Sequence, residues 1–517
     1  MVHSKSTPMD DDAYWMVADG RVHYLEAAEI NNVVPDISID PVVEDWQSHD
    51  ANMKMMNIRN KNLLYKLNNP SGSDLDSDNI VDPAKASASP EHLTPPSTGG
   101  STNNGSTVKI PTPTHSLYMP RRQVDLVALL AAKDKVQDSS EAENVKTILS
   151  AVMQWPQDAN IKIKFLTGGI TNMLLSCSYG RSTVLMRVYG QGTNLIIDRH
   201  REYISHLVLN SLQLAPPVYA RFSNGLVYGY LPGRSLEPNE LYHPALYPLI
   251  AQLLGIWHHR VSSSDIEDGV EKLRRYAVTV KKRRSLQSSP VLMAENSKKK
   301  KKPKKKTINN VWELLHDWID VVPLNQALHD SFARNKKIDS DLREVVRQEL
   351  NWLEETLTSK NSSPVVSAHC DLLSGNVIIP TDFAFEESDL PSVDNNPIKF
   401  IDYEYMLPAP RAFDIANHMA EWQGFHCDRS AIPEPSMDNP VMVKWVRSYL
   451  NNPDASEDEV QKLIDEIALF HGMPGFYWGI WAMIQSEISQ IDFDYADYGK
   501  LRLEEYWDWK SKHLSSV

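Results

Sequence analysis

The chain has 517 residues, 42% of them hydrophobic and 23% charged, enough for a sizeable core divided between two lobes. A net charge of −14 argues against nucleic acid or an anionic membrane surface as a general partner. Three cysteines, Cys177, Cys370 and Cys427, are too few and too widely spaced for a zinc cluster or a complete disulfide framework, which fits a reducing compartment. No run approaches the roughly 18 to 20 apolar residues of a membrane span, so integral membrane contact is not expected. The N-terminus MVHSKSTPMDDD is too acidic for a targeting peptide, and the expected location is cytoplasmic.

In chain order, residues 1–116 read as a largely disordered extension. Residues 70–117 are a Ser, Thr, Pro, Gly and Asn mixture that cannot bury enough apolar surface to offset its ordering entropy. Residues 12–65 carry Tyr14, Trp15, Trp46 and Leu63 without clear periodicity; they read as more tail, with a docking segment as the alternative. Folded character begins near Leu117, and residues 117–230 read as one lobe. Helices are expected at 125–132 and 142–155, the second from Val145, Ile148 and Val152. The period then changes to two, giving strands at 161–166, 173–179 and 183–189. A helix with Ile204, Leu207, Val208 and Leu212 on one stripe follows, then strands at 217–222 and 225–230. The order describes an antiparallel sheet carrying one helix.

Residues 231–517 read as a larger, mainly helical lobe, starting with a helix at 245–259. Within it, KKRR at 281–284 and KKKKKPKKK at 298–306 mark a basic, disordered insertion at about 262–308, because like charges at that density repel. Short strands are expected at 377–379 and 399–402. The fold class is α+β.

The chemistry concentrates in His369-Cys370-Asp371-Leu372-Leu373-Ser374-Gly375-Asn376, of the form H-x-D-x-x-x-x-N, just before an apolar strand. Phosphoryl transfer to an alcohol needs a carboxylate to accept the hydroxyl proton and an amide oxygen to help hold Mg²⁺. Asp371 and Asn376 supply both types at the spacing of kinase catalytic loops. Phe400-Ile401-Asp402-Tyr403-Glu404 then puts Asp402, a hard oxygen donor for Mg²⁺, at the end of a strand. Each piece alone is a common turn pattern; the ordered pair is specific. In Val184-Leu185-Met186-Arg187-Val188-Tyr189, alternation puts Leu185, Arg187 and Tyr189 on one face. Arg187 is then a candidate ATP-phosphate cation, with Glu202 on the next helix to steady it. The turn with Gly168 and Gly169, ending at Asn172, lies where a kinase phosphate-covering loop would.

These segments resemble the choline/ethanolamine kinase family. FIDYEYMLPAPRAFDIANHMAEW at 400–422 and HCDLLSGN are similar to its signatures. LTGGITNMLLSC at 166–177, VLMRVYGQGTNLIIDRHREY at 184–203 and the run at 478–507 agree in order and spacing. The elements that protein kinases require, DFG and APE, are absent. The resemblance implies a two-lobed protein-kinase-like fold, ATP and Mg²⁺ as cofactors, and a homodimer. It implies Asp371 as catalytic base, Asn376 and Asp402 as Mg²⁺ ligands, Arg187 backed by Glu202 on the ATP phosphates, and backbone contacts to adenine at Tyr228, Gly229 and Tyr230. For the amine it implies Glu421, Trp422, Trp478, Trp481 and Tyr498, although Trp478 and Trp481 read from spacing alone as ordinary helix packing. Cys370 stands where the family usually has Asn, and Gly375 is more like choline kinases.

GGITNMLL, DRHREY and Asp371-Leu372-Leu373 resemble ethanolamine kinases. Choline kinases tend to have an aromatic residue where this chain has His426. Loss of an aromatic wall hurts a quaternary ammonium more than a primary one, which can donate hydrogen bonds. The expected reaction is therefore phosphorylation of ethanolamine to phosphoethanolamine, the first step of the CDP-ethanolamine route to phosphatidylethanolamine. Choline kinase or dual specificity is the rival. An inactive kinase-like scaffold is disfavoured because Arg187, Asp371, Asn376 and Asp402 are all present.

Overall fold

The computed structural model describes residues 11–18, 21–26, 115–156, 158–168, 172–190, 193, 196–287, 308–334, 338, 340–359, 363–489 and 491–516. Alternating apolar residues produce the strands of an eight-stranded sheet: β1 (Ala13–Ala18), β2 (Arg21–Glu26), β3 (Ser116–Met119), β4 (Lys162–Gly168), β5 (Asn172–Tyr179), β6 (Ser182–Tyr189), β7 (Val218–Phe222) and β8 (Gly225–Gly229). Their spatial order is β2-β1-β3-β7-β8-β6-β5-β4, antiparallel except for the parallel pair β3 and β7. β5 and β6 join through a two-residue turn between Tyr179 and Ser182, with Gly180 at φ 60°, the left-handed value such turns require.

Alternation along β6 separates two jobs. Val184, Met186 and Val188 are fully buried in a core closed by helices α1 (Leu126–Ala132) and α2 (Ser140–Met153), through Leu129, Val145, Ile148 and Leu149. Leu185, Arg187 and Tyr189 are half-buried on the other face, which also receives α3 (Arg199–Ser211).

The second lobe holds β9 (Arg234–Ser235), α4 (Tyr247–Arg260), α5 (Ser263–Gln287), α6 (Val311–Val321), α7 (Gln326–Ala333) and α8 (Leu342–Ser359). It continues with β10 (Val365–Ala368), β11 (Val377–Ile379), β12 (Lys399–Phe400), β13 (Leu407–Pro410), α9 (Arg411–Ala420), α10 (Pro440–Tyr449), α11 (Glu457–Phe470), α12 (Met473–Ile488) and α13 (Tyr495–Ser516). Small sheets pair β10 with β13 and order β12-β11-β9, which fixes the loops between these strands against one another. Among the described residues, no helix is long and apolar enough to cross a membrane.

Two segments differ from the sequence reading. The first is the N-terminal extension, in which β1 and β2 form a hairpin that lengthens the sheet through β3. Its signal was short: two six-residue strands paired so that only Asp19 and Gly20 lie between Ala18 and Arg21, a dipeptide favoured in tight hairpin turns. The Ser/Thr/Pro-rich run at 70–114 lies outside the described residues. The second is the segment expected as a basic insertion, whose first half is helix α5. Ile266, Val270, Leu273, Tyr276 and Val280 recur at three- and four-residue spacing and are buried, while Lys281, Lys282 and Arg283 are exposed. The charge run was the solvated side of an amphipathic helix. The lysine run at 298–306 lies outside the described residues.

The hairpin and α5 hold each other. Trp15 is fully buried, stacked on Tyr24 at 5.1 Å and edge-on to Tyr276 at 5.9 Å between ring centroids. Lys272 donates to the Val22 carbonyl at 3.0 Å, and Tyr276 donates to the Asp11 carbonyl at 3.0 Å. Gly269 permits the approach, since a Cβ there would sit 2.6 Å from Val22 and 2.7 Å from Ile204 of α3. The hairpin thus packs against the helix that carries Glu202. Trp15→Ala should weaken hairpin docking by about 3 kcal/mol. Amide exchange across β1 and β2 should then speed on the order of a hundredfold, readable by hydrogen–deuterium exchange against the wild type.

Candidate active site

The loop after β10 carries the H-x-D-x-x-x-x-N residues, and α9 fixes its backbone. Asp414 accepts from the His369 and Cys370 amides at 2.8 and 2.7 Å. Asn417 donates to the Cys370 carbonyl at 2.9 Å, and His418 Nδ1 lies 2.9 Å from the Leu372 carbonyl. Positions 414, 417 and 418 share one helix face, so a single face holds backbone groups of three loop residues, His369, Cys370 and Leu372. Cys370 needs that support, because its φ of 63° is a left-handed conformation costly for a side chain with a Cβ. Burial pushes the His369 and His418 imidazoles down to about 4, so both are neutral near pH 7 and act as hydrogen-bonding groups. His369 Nε2 reaches the Ile401 carbonyl at 3.1 Å and ties the loop to the residue before Asp402.

At the loop's end, the Asn376 amide donates to the Asp371 carbonyl at 2.8 Å and to its carboxylate at 3.1 Å. The Asn376 side-chain oxygen is the group left to accept. Asp402 follows β12 at φ 65° and accepts from Arg187 at 2.8 Å. Arg187 also donates to Glu202 at 3.0 Å. Behind this pair, Arg199 donates to Glu202 at 3.0 Å, to Glu404 at 2.8 Å, to Thr193 at 2.8 Å and to Asn172 at 3.0 Å, and Asn172 donates to Glu404 at 2.8 Å. The result is a buried network of two guanidiniums and three carboxylates joining β6, α3 and the segment after β12.

The electrostatics follow from this crowding. Burial, together with the charges of Asp402 and Glu421, holds the Asp371 carboxyl well above the usual range. Burial also raises Asp402 to about 6 despite its bond to Arg187. Two raised carboxyls beside an amide oxygen form a hard-oxygen donor set that positive charge would relieve, so these residues fit a Mg²⁺ ion.

The structure brings together Arg187, Glu202, Asp402 and Asn172, and separately Asp371 and Asn376, with Asp371 in the field of Asp402. The Tyr228 ring lies 5.9 Å from the Arg187 guanidinium carbon, and Tyr230 follows β8 half-buried. Gly168 closes β4, paired with Met173, while Gly169 lies outside the described residues. The residues proposed for the amine divide. Trp422 packs with Tyr242 and Tyr247 in one core, whereas Trp478, Trp481 and Tyr498 belong to another. Buried Arg502 bridges Glu421, at 3.2 Å, to the Tyr498 hydroxyl, at 2.9 Å. Trp478 donates to Asn417 at 2.8 Å and so braces the 369–376 loop, while Trp481 donates to the Tyr405 hydroxyl at 2.8 Å and braces the segment after Asp402. Sequence reasoning passed over Arg199, Glu404, Asp414, Asn417 and Arg502. Arg199 and Glu404 each stood within three residues of a position it singled out, and Asp414 and Asn417 stood in the apolar helix of the 400–422 run.

The family model described as choline/ethanolamine kinase matches residues 163–507, which contain every one of these groups. The chain belongs to the choline/ethanolamine kinase family. It is 30% identical over 364 residues to ethanolamine kinase 1 of Mus musculus, covering 68% of this chain and 84% of that protein. It is 31% identical over 340 residues to an ethanolamine kinase of Drosophila melanogaster, covering 65% of this chain and only 56% of that protein. Among solved structures, an ethanolamine kinase of Plasmodium vivax is similar at a TM-score of 0.51 and 26% identity, over 71% of this chain and 89% of that one. Within this family member, the most sensitive brace is Asp414, whose carboxylate also lies 2.8 Å from His258 Nε2. Asp414→Asn turns one of the two acceptor oxygens into a donor facing a backbone amide and removes the charge beside His258, and should cost about 3 to 5 kcal/mol of stability, checked by urea denaturation.

Proposed function

We propose that the protein transfers the γ-phosphoryl group of ATP to the hydroxyl of ethanolamine. The observation that carries this reading is the bond of Arg187 to both Glu202 and Asp402, across from the Asp371 and Asn376 pair. It matches the division of labour in phosphoryl transfer: a cation for the phosphates, a carboxylate for the hydroxyl and hard oxygens for a metal. ATP would lie between the sheet and the helical lobe, with Arg187 on its phosphates and adenine against the backbone of residues 228–230. Asp371 accepts the hydroxyl proton and orients the oxygen; its raised affinity for a proton makes it a stronger base than a solvated aspartate. Asn376 and Asp402 would hold Mg²⁺, which supplies neutralisation of phosphate charge.

The ammonium group would be taken by Glu421 with the faces of Trp422, Trp478, Trp481 and Tyr498. The field of Glu421 at Asp371 supports having the amine end of a two-carbon substrate close to the base. Ethanolamine is favoured over choline because the relatives reported above are named ethanolamine kinases, and because a primary ammonium can donate to Glu421 where a quaternary one cannot. The product would be phosphoethanolamine, first in the CDP-ethanolamine route to phosphatidylethanolamine. Cytoplasmic location belongs to the same reading, supported by the small polar substrates and by free Cys177, Cys370 and Cys427.

The test is Mg²⁺-dependent ADP formation with ethanolamine, with choline, or without acceptor. Turnover should be acceptor-dependent, with the larger kcat/KM for ethanolamine. Asp371→Ala and Asp402→Ala should each lower kcat on the order of a thousandfold or more. Preference for choline would change the substrate and keep the site, while near-normal rates in both variants would remove the site assignment.

A further inference from the structure

A cavity of about 1230 Å³ lies where the start of α3, the turn after β7, helix α5 and the residues after Asp402 meet. Arg187, Asp371, Asn376 and Asp402 are not on its wall; Arg199 and Glu404 are, so the cavity lies behind the network that holds Arg187 and not at the proposed transfer site itself.

Most charges around it are already committed. Arg199 is paired with Glu202 and Glu404, Arg274 with Asp198, and Arg201 with Glu267. Asp125 caps α1 by accepting from the Val127 and Ala128 amides, and Glu141 accepts from the Asp125 amide. Arg221 differs. It lines the cavity and is only 4% exposed, yet among the described residues it has no ion pair, and its buried Nε and Nη1 donate no hydrogen bond. Among the described residues its compensation is two aromatic faces, Tyr118 at 5.3 Å and Tyr203 at 5.4 Å. The buried hydroxyl of Tyr189, on the same wall, also lacks a hydrogen-bond partner among the described residues. Lys281 stands exposed on the wall, with no ion pair among the described residues.

A guanidinium stays charged at any physiological pH, and a buried one without a counter-charge is costly; cation–π contact offsets a fraction of that cost. Arg221 therefore asks for an anion, and the adjoining cavity has room for one together with an organic substituent. Two uncommitted cations suit a dianion better than a monocarboxylate, and a guanidinium matches phosphate oxygens in pairs. We propose that this cavity is a second ligand site which takes a phosphate group, carried by a small phosphate monoester or free in solution. Arg221 anchors the group, the Tyr189 hydroxyl donates to it, and Lys281 faces it from the exposed wall. The proposal does not depend on which amino alcohol the transfer site accepts.

The experiment uses the full chain with its transfer site saturated by Mg²⁺ and a non-hydrolysable ATP analogue. Inorganic phosphate, phosphoethanolamine and acetate are titrated calorimetrically at constant ionic strength. Phosphate or the monoester should bind, with acetate at least tenfold weaker; binding by the monoester alone would identify the source, and binding by both would mean that the phosphate group suffices. Arg221→Met should weaken that binding at least tenfold with the affinity for the ATP analogue unchanged. Ala277→Trp, which fills the cavity from its half-buried wall and leaves Arg221 in place, should do the same. Absence of binding to the wild type, or equal affinity in both variants, would overturn the proposal.

Discussion

The pairing of Arg187 with Glu202 and Asp402 is the interaction on which the rest of the site depends. Its three members come from β6, from α3 and from the segment after β12, so satisfying one guanidinium requires the sheet, its helix and the second lobe to be in register. None of the three could be buried alone, since an isolated ion in a low-dielectric interior costs several kcal/mol. Arg199 makes the arrangement tolerable by sharing Glu202 and bringing in Glu404 and Asn172. Two cations against three carboxylates leave an excess of negative charge, and burial together with the nearby charge of Glu404 raises the Asp402 carboxyl to about 6 despite its bond to Arg187. That excess is what the proposed Mg²⁺ would relieve.

A second constraint acts at right angles to the first. The catalytic loop has little regular structure, and its conformation at Cys370 is one that a free chain avoids. Helix α9 supplies what a sheet would otherwise provide, with Asp414, Asn417 and His418 bonding to loop backbone groups. The brace extends outward through Trp478 to α12 and through His258 to α4 and the Tyr449 hydroxyl of α10. Aromatic residues proposed for the amine pocket thus belong to the same packing that positions Asp371, so that in the proposed reaction acceptor recognition would be coupled to the geometry of the base.

Much of this was legible in the sequence. Period-two runs marked β4, β5 and β6, two further strand-like runs marked β7 and β8, and the alternation of β6 correctly put Arg187 opposite the core-facing Val184, Met186 and Val188. The partnership of Arg187 with Glu202 followed from chemistry at the right spacing. What escaped was long-range or masked by composition. Arg199 and Glu404 meet across 205 residues, and no local pattern reveals such a pair. Helix α5 was hidden because its basic residues outweigh five apolar positions unless the stripe is counted. The hairpin at 13–26 was too short to show a period, and its stability comes from Trp15 and Val22 packing against α5, far along the chain.

The central claim, that Arg187 is held in place by a network spanning both lobes, is tested most directly by a double-mutant cycle on Arg199 and Glu404. Neither residue bonds directly to Asp371 or Asn376, so their joint effect reports the network itself. kcat/KM for ATP would be measured for Arg199→Met, Glu404→Gln and the double variant. The account predicts strong non-additivity, with the double variant losing about as much as the worse single one and a coupling of about 1 to 3 kcal/mol. Additive losses would contradict it, because the two residues would then act independently of the cation they are said to hold.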